Sequence, residues 1–380
     1  MEPRRGRIDQ QLYLLLDSRH VSDHLPINDH QTYTKVNMPS NNYIYPLPFG
    51  STGKSMQLRD AFKVVNTFDS REGKVELVES KRIPGKLRII KTIKHKDRSR
   101  LPDEARALTY RPLVNGTRHT NIIHLLQCEF SPKGYALMCF EYCSGGDLWD
   151  QVHGSKGRTV TPLFALHIAI SISEALAFLH HGMVYDQGQY IKVAHGEPVV
   201  HCDIKSDNIF LRLPGKTGGG LPDVVLADTG LSNVESRTHT GWGCKPFMSP
   251  ECLQGKVPYL SHKTDLYSFG VMMEFMLNLC SKDFWPMFKD PQTVIINVQY
   301  KGLGITDMLK SCLEVSAYDR GNFAGFSGGG LLWSVLKFRE KRSAKLRDGE
   351  SRLILAPNVR DKVCTTIMRG KHLIIEPVQH

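Results

Sequence analysis

Asp203, Lys205 and Asn208 lie within six residues of one another, between the apolar, strand-like runs Val199-Val200 and Ile209-Phe210-Leu211. A second apolar run, Val224-Val225-Leu226-Ala227, ends in Asp228-Thr229-Gly230, with Asp228 twenty residues after Asn208. Apolar residues bracketing a few polar positions put the carboxylates at strand ends, facing a cleft. This set of groups suits phosphoryl transfer. One carboxylate can orient an attacking hydroxyl, while a carboxamide and a second carboxylate can hold Mg²⁺ against phosphate oxygens. Taken singly, Asp203 and Asp228 are also ordinary turn formers, because Asp hydrogen-bonds its own backbone.

Such residues need elements to position them. From Phe62 to about Leu148 short apolar runs alternate with turns, as in Lys74–Val78, Leu87–Lys91 and Tyr135–Phe140. This predicts a strand-rich half with one helical insert, Asp103–Tyr110. Beyond Leu148 the pattern turns helical, most clearly over Pro162–His180 and Thr264–Leu279, each opened by a Thr-Pro or Thr-Asp start signal. The longest apolar stretch, Leu163–Leu179, is broken by His167, Ser171, Ser173 and Glu174. It reads as an amphipathic helix on a core, short of the ~18 uninterrupted apolar residues of a membrane span. Leu213–Pro222 is a flexible loop by composition. The expected fold class is α+β in two lobes, with a ligand in the cleft between them.

The ordered set of motifs resembles the eukaryotic-type protein kinases over roughly Ala61–Phe323, about 70% of the chain. His201-Cys202-Asp203, Lys205 and Asn208 resemble the H-R-D-x-K-x-x-N catalytic loop. The resemblance implies that Asp203 accepts the substrate hydroxyl proton, Lys205 sits by the γ-phosphate and Asn208 holds a metal. Asp228 stands at the D-F-G position, implying the principal Mg²⁺ ligand. Met248-Ser249-Pro250-Glu251 resembles A-P-E, with Glu251 23 residues after Asp228. Asp265-Leu266-Tyr267-Ser268-Phe269-Gly270 resembles D-x-W-S-x-G, and Arg320 is the candidate buried partner of Glu251. In the first half, Lys91 ends a V-A-I-K-like strand and would hold the ATP α- and β-phosphates, with Glu104 as its positioning carboxylate. Phe140 is the implied gatekeeper, and the backbone of Glu141 and Cys143 would hydrogen-bond the adenine. The implied fold is a bilobal kinase. The implied activity is transfer of the γ-phosphoryl of ATP to Ser/Thr of protein substrates, with Mg²⁺.

Departures from the pattern are informative. Only Gly73 and Val75 remain of the glycine-rich loop, which normally lets backbone close over phosphates. Thr229 replaces the Phe of D-F-G, Cys202 the Arg of H-R-D, and Cys244 a usual Thr. Loss of that Arg predicts activity that does not depend strictly on activation-loop phosphorylation, so that Ala at Thr238 and Thr240 leaves most activity intact. The worn loop also resembles fast-evolving kinases, including the conserved herpesvirus kinases. The alternative from another class is a pseudokinase that acts as a binding scaffold. For Lys91 the competing reading is a solvated basic face with Lys94, Lys96, Arg98 and Arg100; for Glu104 it is a helix start. His201 is expected to pack structurally. Gly50-Ser51-Thr52-Gly53-Lys54-Ser55 mimics a phosphate loop but has Pro48 where a Gly is required.

Composition bounds the rest. With 49 basic and 38 acidic residues the net charge is +11, which fits nucleic acid, an acidic membrane surface or an anionic ligand. Nine cysteines without any C-x-x-C pair point to a reducing, intracellular setting, cytoplasm or nucleus, in a host cell if viral. No oligomeric state is readable. The expected divisions are a low-order extension over 1–58, an N-lobe and hinge over 59–143, a C-lobe over 144–325, and an extension over 326–380. That last segment carries a basic helix, Lys337–Arg347, read as a solvated face, a nuclear import signal, a substrate dock or a nucleic-acid patch.

Overall fold

A computed structural model describes residues 58–70, 73–97, 101–108, 119–153, 159–213, 220–238, 243–255, 260–277, 298–323, 330–351, 354–355, 364–369 and 372–377. The expectations for residues 1–57 of the N-terminal extension, for Gly50–Ser55 and for Thr240 lie outside the described residues, while Leu58, placed in the low-order extension, is buried and ordered in a 3-10 turn. The chain forms two compact units, one ending at Tyr142 and the other built from Cys143 onward together with His119–Ile123.

The first unit is a five-stranded antiparallel sheet in the order β1-β2-β3-β5-β4. Its strands are β1 (Phe62–Asp69), β2 (Gly73–Ser80), β3 (Leu87–Lys94), β4 (Leu125–Ser131) and β5 (Tyr135–Glu141), and a short helix, α1 (Asp103–Ala107), lies between β3 and β4. The twofold period of strands sorts the side chains onto two faces. Val78, Ile90, Leu137 and Cys139 pack on one face with Leu58, from the 3-10 turn that leads into β1. On the other face Val75, Lys91 and Met138 are direct cross-strand partners in one row. The turn into β1 is tied to β4 by the Leu58 amide, which donates to Glu129 Oε2 at 2.7 Å.

The second unit comprises α2 (Leu148–His153), β6 (Thr159–Val160), α3 (Pro162–His181), a hairpin of β7 (Met183–Asp186) and β8 (Gln189–Lys192), and β9 (Val199–Val200). It continues through β10 (Ile209–Arg212), β11 (Asp223–Leu226), β12 (Asn233–Val234), α4 (Pro250–Gln254), α5 (Lys263–Leu277), α6 (Ile305–Cys312) and α7 (Leu331–Arg347). β13 (Ile354–Leu355) pairs with β6, and a hairpin of β14 (Cys364–Arg369) and β15 (His372–Pro377) follows. Sequence signals fix the ends of α3. The Thr161 hydroxyl accepts the Phe164 amide at 3.1 Å, Pro162 follows it, and Gly182 closes the helix in the left-handed region at φ 66°. The expected amphipathic face is corrected here, since every residue from Leu163 to His180 is buried. The helix has the length and hydropathy of a membrane span, but 94% of that window is buried inside the unit, so packing accounts for its composition.

The expected flexible loop, Leu213–Pro222, is described at both ends but not over 214–219. Its far end is anchored, with Leu221 and Pro222 buried and the Pro222 carbonyl 2.7 Å from His167 Nε2. The His119–Ile123 segment joins this unit through Asn121, whose carbonyl accepts the Leu226 amide at 2.9 Å and whose Nδ2 donates to Val224 O at 2.8 Å.

Candidate active site

Asp265, fully buried at the start of α5, organises the loop that carries Asp203. Its Oδ2 accepts the His201 amide at 2.7 Å and its Oδ1 accepts the Cys202 amide at 2.9 Å. Cys202 is held at φ 68°, a left-handed conformation that costs a non-glycine residue about 1–3 kcal/mol. The two amide bonds hold it there. His201 is structural: its Nδ1 accepts the Asp203 amide at 3.3 Å, so its Nε2 donates to Ala227 O at 3.1 Å. Ser232 Oγ ties down the His201 carbonyl at 3.1 Å.

This scaffold presents the Asp203 carboxylate with one oxygen engaged. Oδ2 receives Lys205 Nζ at 2.7 Å and Asn208 Nδ2 at 2.9 Å, and the same Nδ2 also reaches the Asp203 carbonyl at 2.8 Å. The Asn208 carboxamide is thereby oriented with its oxygen as the remaining acceptor. β10 begins just after Asn208, and β11, its antiparallel partner, ends just before Asp228. The two residues therefore stand at one end of the hairpin, where the Ala227 amide donates to Asn208 O at 2.9 Å. Asp228 is half-buried at φ 59°, a left-handed position that Asp tolerates better than most residues. Thr229, in the place of the D-F-G Phe, is buried and opens a 3-10 turn.

Glu251 and Arg320 form a bidentate pair at 2.7 and 2.6 Å. The other Arg320 donors reach Glu314 O, Lys263 O and Val315 O, which satisfies all five. In the first unit, Lys91 Nζ lies 2.8 Å from Glu104 Oε2, with both side chains about nine-tenths buried. The sheet turns Lys91 inward, and the basic-face reading does not hold for it. Glu104 does sit in the first turn of α1, so the helix-start reading and the Lys91 partnership are both met.

Gly73 and Val75 begin β2. Any Cβ at Gly73 would run into the Thr92 carbonyl oxygen, so the close β2–β3 approach is itself a reason for glycine here. Val75 pairs directly with Lys91. The Glu141 amide donates to His124 O at 3.1 Å and its side chain accepts the His124 amide at 3.0 Å, which leaves that amide unable to donate to a base. In the second unit the Cys143 carbonyl accepts the Gly146 amide at 3.3 Å, closing a tight turn.

The protein kinase domain family matches residues 72–320, about two-thirds of the chain. This chain belongs to the protein kinase domain family. Relatives in Arabidopsis thaliana include a "Wall-associated receptor kinase-like 20", 30% identical over 71% of this chain and 41% of that protein. "Receptor protein-tyrosine kinase CEPR1" is 32% identical over 42% of this chain and 15% of its own length. "LRR receptor-like serine/threonine-protein kinase ERL1" is 29% identical over 42% and 15%. The chain thus spans less than half the length of these relatives. The viral affinity gains no support from them. The two units are the β-sheet and helical parts expected of a kinase domain.

Two features of the kinase chain were not legible beforehand. Thr238 is fully buried, with its hydroxyl bonded to Leu260 and Glu235, and no pattern around it marks that role. The basic helix α7 also turns two of its cations, Arg339 and Arg342, toward the body of the unit. Arg339 meets Glu174 at 2.5 Å and stacks 3.5 Å over Tyr185, Arg342 reaches His167 Nδ1 at 2.9 Å, and Lys341 Nζ donates to Gly302 O and Leu303 O. Lys345 pairs with Glu350, and Lys337 lies over its neighbour Trp333.

Proposed function

We propose that this kinase domain transfers the γ-phosphoryl group of ATP to a Ser or Thr hydroxyl of protein substrates. The observation that carries the reading is the state of the Asp203 carboxylate. Lys205 and Asn208 both bind Oδ2. Oδ1 receives no hydrogen bond among the described residues and is the atom for the proton of the attacking hydroxyl. Lys205 lies beside that carboxylate and would neutralise charge on the transferred group. The buried Lys91–Glu104 pair supports Lys91 as the group that holds the α- and β-phosphates. The engaged Glu141 amide supports a reading in which Cys143 offers the adenine-facing donor and Glu141 contributes its carbonyl.

The donor set at the end of the β10–β11 hairpin fits Mg²⁺, a hard cation that takes oxygen ligands and keeps phosphate oxygens in its shell. The Asn208 carboxamide oxygen and the Asp228 carboxylate would hold it. Phosphate oxygens and water would complete the shell, as Mg²⁺ usually keeps several waters. Bound Mg²⁺ would neutralise charge on the phosphate oxygens during transfer.

The deciding experiment compares Mg²⁺-dependent phosphorylation of a generic protein substrate by wild type, Asp203→Ala and Lys91→Ala. Both variants should fall at least ~100-fold, the scale of general acid–base and electrostatic contributions. Phosphoamino-acid analysis should return phosphoserine or phosphothreonine. Equal signals from all three proteins would leave the scaffold reading, which the worn glycine loop and Thr229 favour. Phosphotyrosine alone would overturn the Ser/Thr assignment.

A further inference from the structure

A chain of hydrogen bonds runs from α7 to the strand that leads to Asp228. Arg342, on α7, donates from Nη1 to His167 Nδ1 at 2.9 Å. His167 is fully buried on α3, and its Nε2 stands 2.7 Å from the Pro222 carbonyl. These partners fix the proton. A guanidinium has donors and no acceptor, so Nδ1 must accept and Nε2 carries the hydrogen that goes to Pro222. The ring is therefore neutral, and burial keeps it so by holding its pKa down to about 4.

Pro222 leads directly into β11, whose first residue, Asp223, is fully buried. Asp223 is the direct cross-strand partner of Arg212 on β10, and its Oδ2 accepts Arg212 Nε at 3.1 Å. Arg212 Nη2 donates in turn to Thr120 O at 2.6 Å. One end of the hairpin is thus pinned by buried polar groups. Asn208 and Asp228 stand at its other end, about 10 Å along a ladder of four residue pairs.

Those two residues belong to different frames. Asn208 is bonded to Asp203, whose loop hangs from Asp265 on α5. Asp228 follows β11, so the place where β11 is clamped decides how far Asp228 stands from Asn208. Asn121 holds the middle of β11 through Val224 O and the Leu226 amide, and His167 holds its start. The second clamp needs Arg342. Without a donor at Nδ1 the imidazole can take its other tautomer, which turns a bare Nε2 lone pair on the Pro222 carbonyl.

We propose that Arg342 and His167 are positioning residues that clamp β11 at Pro222 and so set the spacing of Asn208 and Asp228. The proposal rests on the reading of Asn208 and Asp228 as the residues that hold Mg²⁺. It does not require Arg342 or His167 to reach a metal or a substrate. It gives α7, which lies beyond the family match, a part in the reaction besides packing.

The test titrates Mg²⁺ in kinase assays of the full chain and reads kcat and the Mg²⁺ concentration at half-maximal rate. Arg342→Met keeps the apolar stem and loses the donor. Its Mg²⁺ requirement should rise about fivefold, below the ~10–100-fold lost when a direct partner of a metal ligand is removed, with kcat within about twofold of wild type. Lysine restores a donor to Nδ1, and glutamine at 167 keeps an acceptor for Arg342 and a donor for Pro222. Arg342→Lys and His167→Gln should therefore keep the wild-type requirement. Arg339→Ala, on the same helix but outside this chain of bonds, should lose melting temperature and leave the requirement unmoved. An unmoved requirement in Arg342→Met overturns the proposal, and so does an equal rise in the conservative variants or in Arg339→Ala. A second readout needs no turnover. Amide hydrogen exchange of Val224–Ala227 in the nucleotide-free chain should quicken in Arg342→Met, with the amides of α5 unchanged. A wild type that never phosphorylates sinks the kinase reading, and exchange alone then decides. Faster exchange confined to β11 upholds the clamp, while unchanged exchange, or acceleration that includes α5, sinks it.

Discussion

The Thr238 hydroxyl accepts the Leu260 amide at 2.6 Å and lies 2.9 Å from both the Glu235 and Leu260 carbonyls, in a site closed to solvent. The sequence suggested an activation-loop acceptor whose loss leaves activity intact, but the geometry gives a different expectation. Thr238→Ala strands a buried N–H at a cost of about 1–3 kcal/mol, whereas Thr238→Ser keeps the bond. Melting temperatures should drop for Ala and stay near wild type for Ser. A stable Ala variant would show that the hydroxyl is not a structural pin. Glu251 belongs to the same scale. Burial alone would push its carboxyl up, but the hydrogen-bonded Arg320 outweighs it and the net shift is downward. A carboxyl lowered in the folded state stabilises the fold above its ordinary pKa, and that contribution disappears as pH falls through the lowered value. Arg320→Ala should cost about 3–5 kcal/mol at pH 7, because it leaves a largely buried charge unpaired. The penalty should shrink below pH 4, as read from denaturant midpoints; a pH-independent penalty would exclude the ion pair as its source.

At the scale of elements, α7 is held by side chains that were first visible only as a charge run. Arg339 lies between Glu174 of α3 and Tyr185 of β7, so one cation clips two elements. Arg339→Ala should lower the melting temperature by several degrees, with a loss of about 2–4 kcal/mol for a buried charge pair and a ring stack. Arg347→Ala, at the exposed end of the helix, should change nothing measurable. Equal effects from the two would return α7 to a solvated basic face. This contrast marks how far the sequence could be read. Strands β2, β3 and β5 and helices α3 and α5 were legible within a few residues, because period-two alternation and the Thr-Pro and Thr-Asp helix starts are local signals. The β7–β8 hairpin was not resolved from the turns around it, since its four-residue strands carry too few side chains to show a period. Asp203, Asn208 and Asp228 were legible as a set through their order along the chain. Asp265 was visible as a motif residue, but its grip on the His201 and Cys202 amides links positions more than sixty residues apart and leaves no local mark.

At the scale of the whole molecule, the question is where the folding unit ends. The family match stops at residue 320, yet α7 begins at Leu331 and packs on α3, the helix buried on all sides. Leu331, Leu332, Val335 and Phe338 of α7 are buried. At about 1.5–3 kcal/mol for each buried side chain, these four alone approach the ~5–15 kcal/mol that stabilises an ordinary domain. The estimate is an upper bound, since an unfolded chain already covers part of that surface. Even half of it would decide the outcome. A chain ending at Phe323 keeps every residue assigned to phosphoryl transfer but uncovers the apolar side of α3. It should be insoluble, or should melt at least ~10 °C below a chain ending at Ser351, and it should bind a hydrophobic dye at 25 °C. If it melts with the longer chain and phosphorylates equally well, α7 is an appendage, and the kinase unit ends where the family match does.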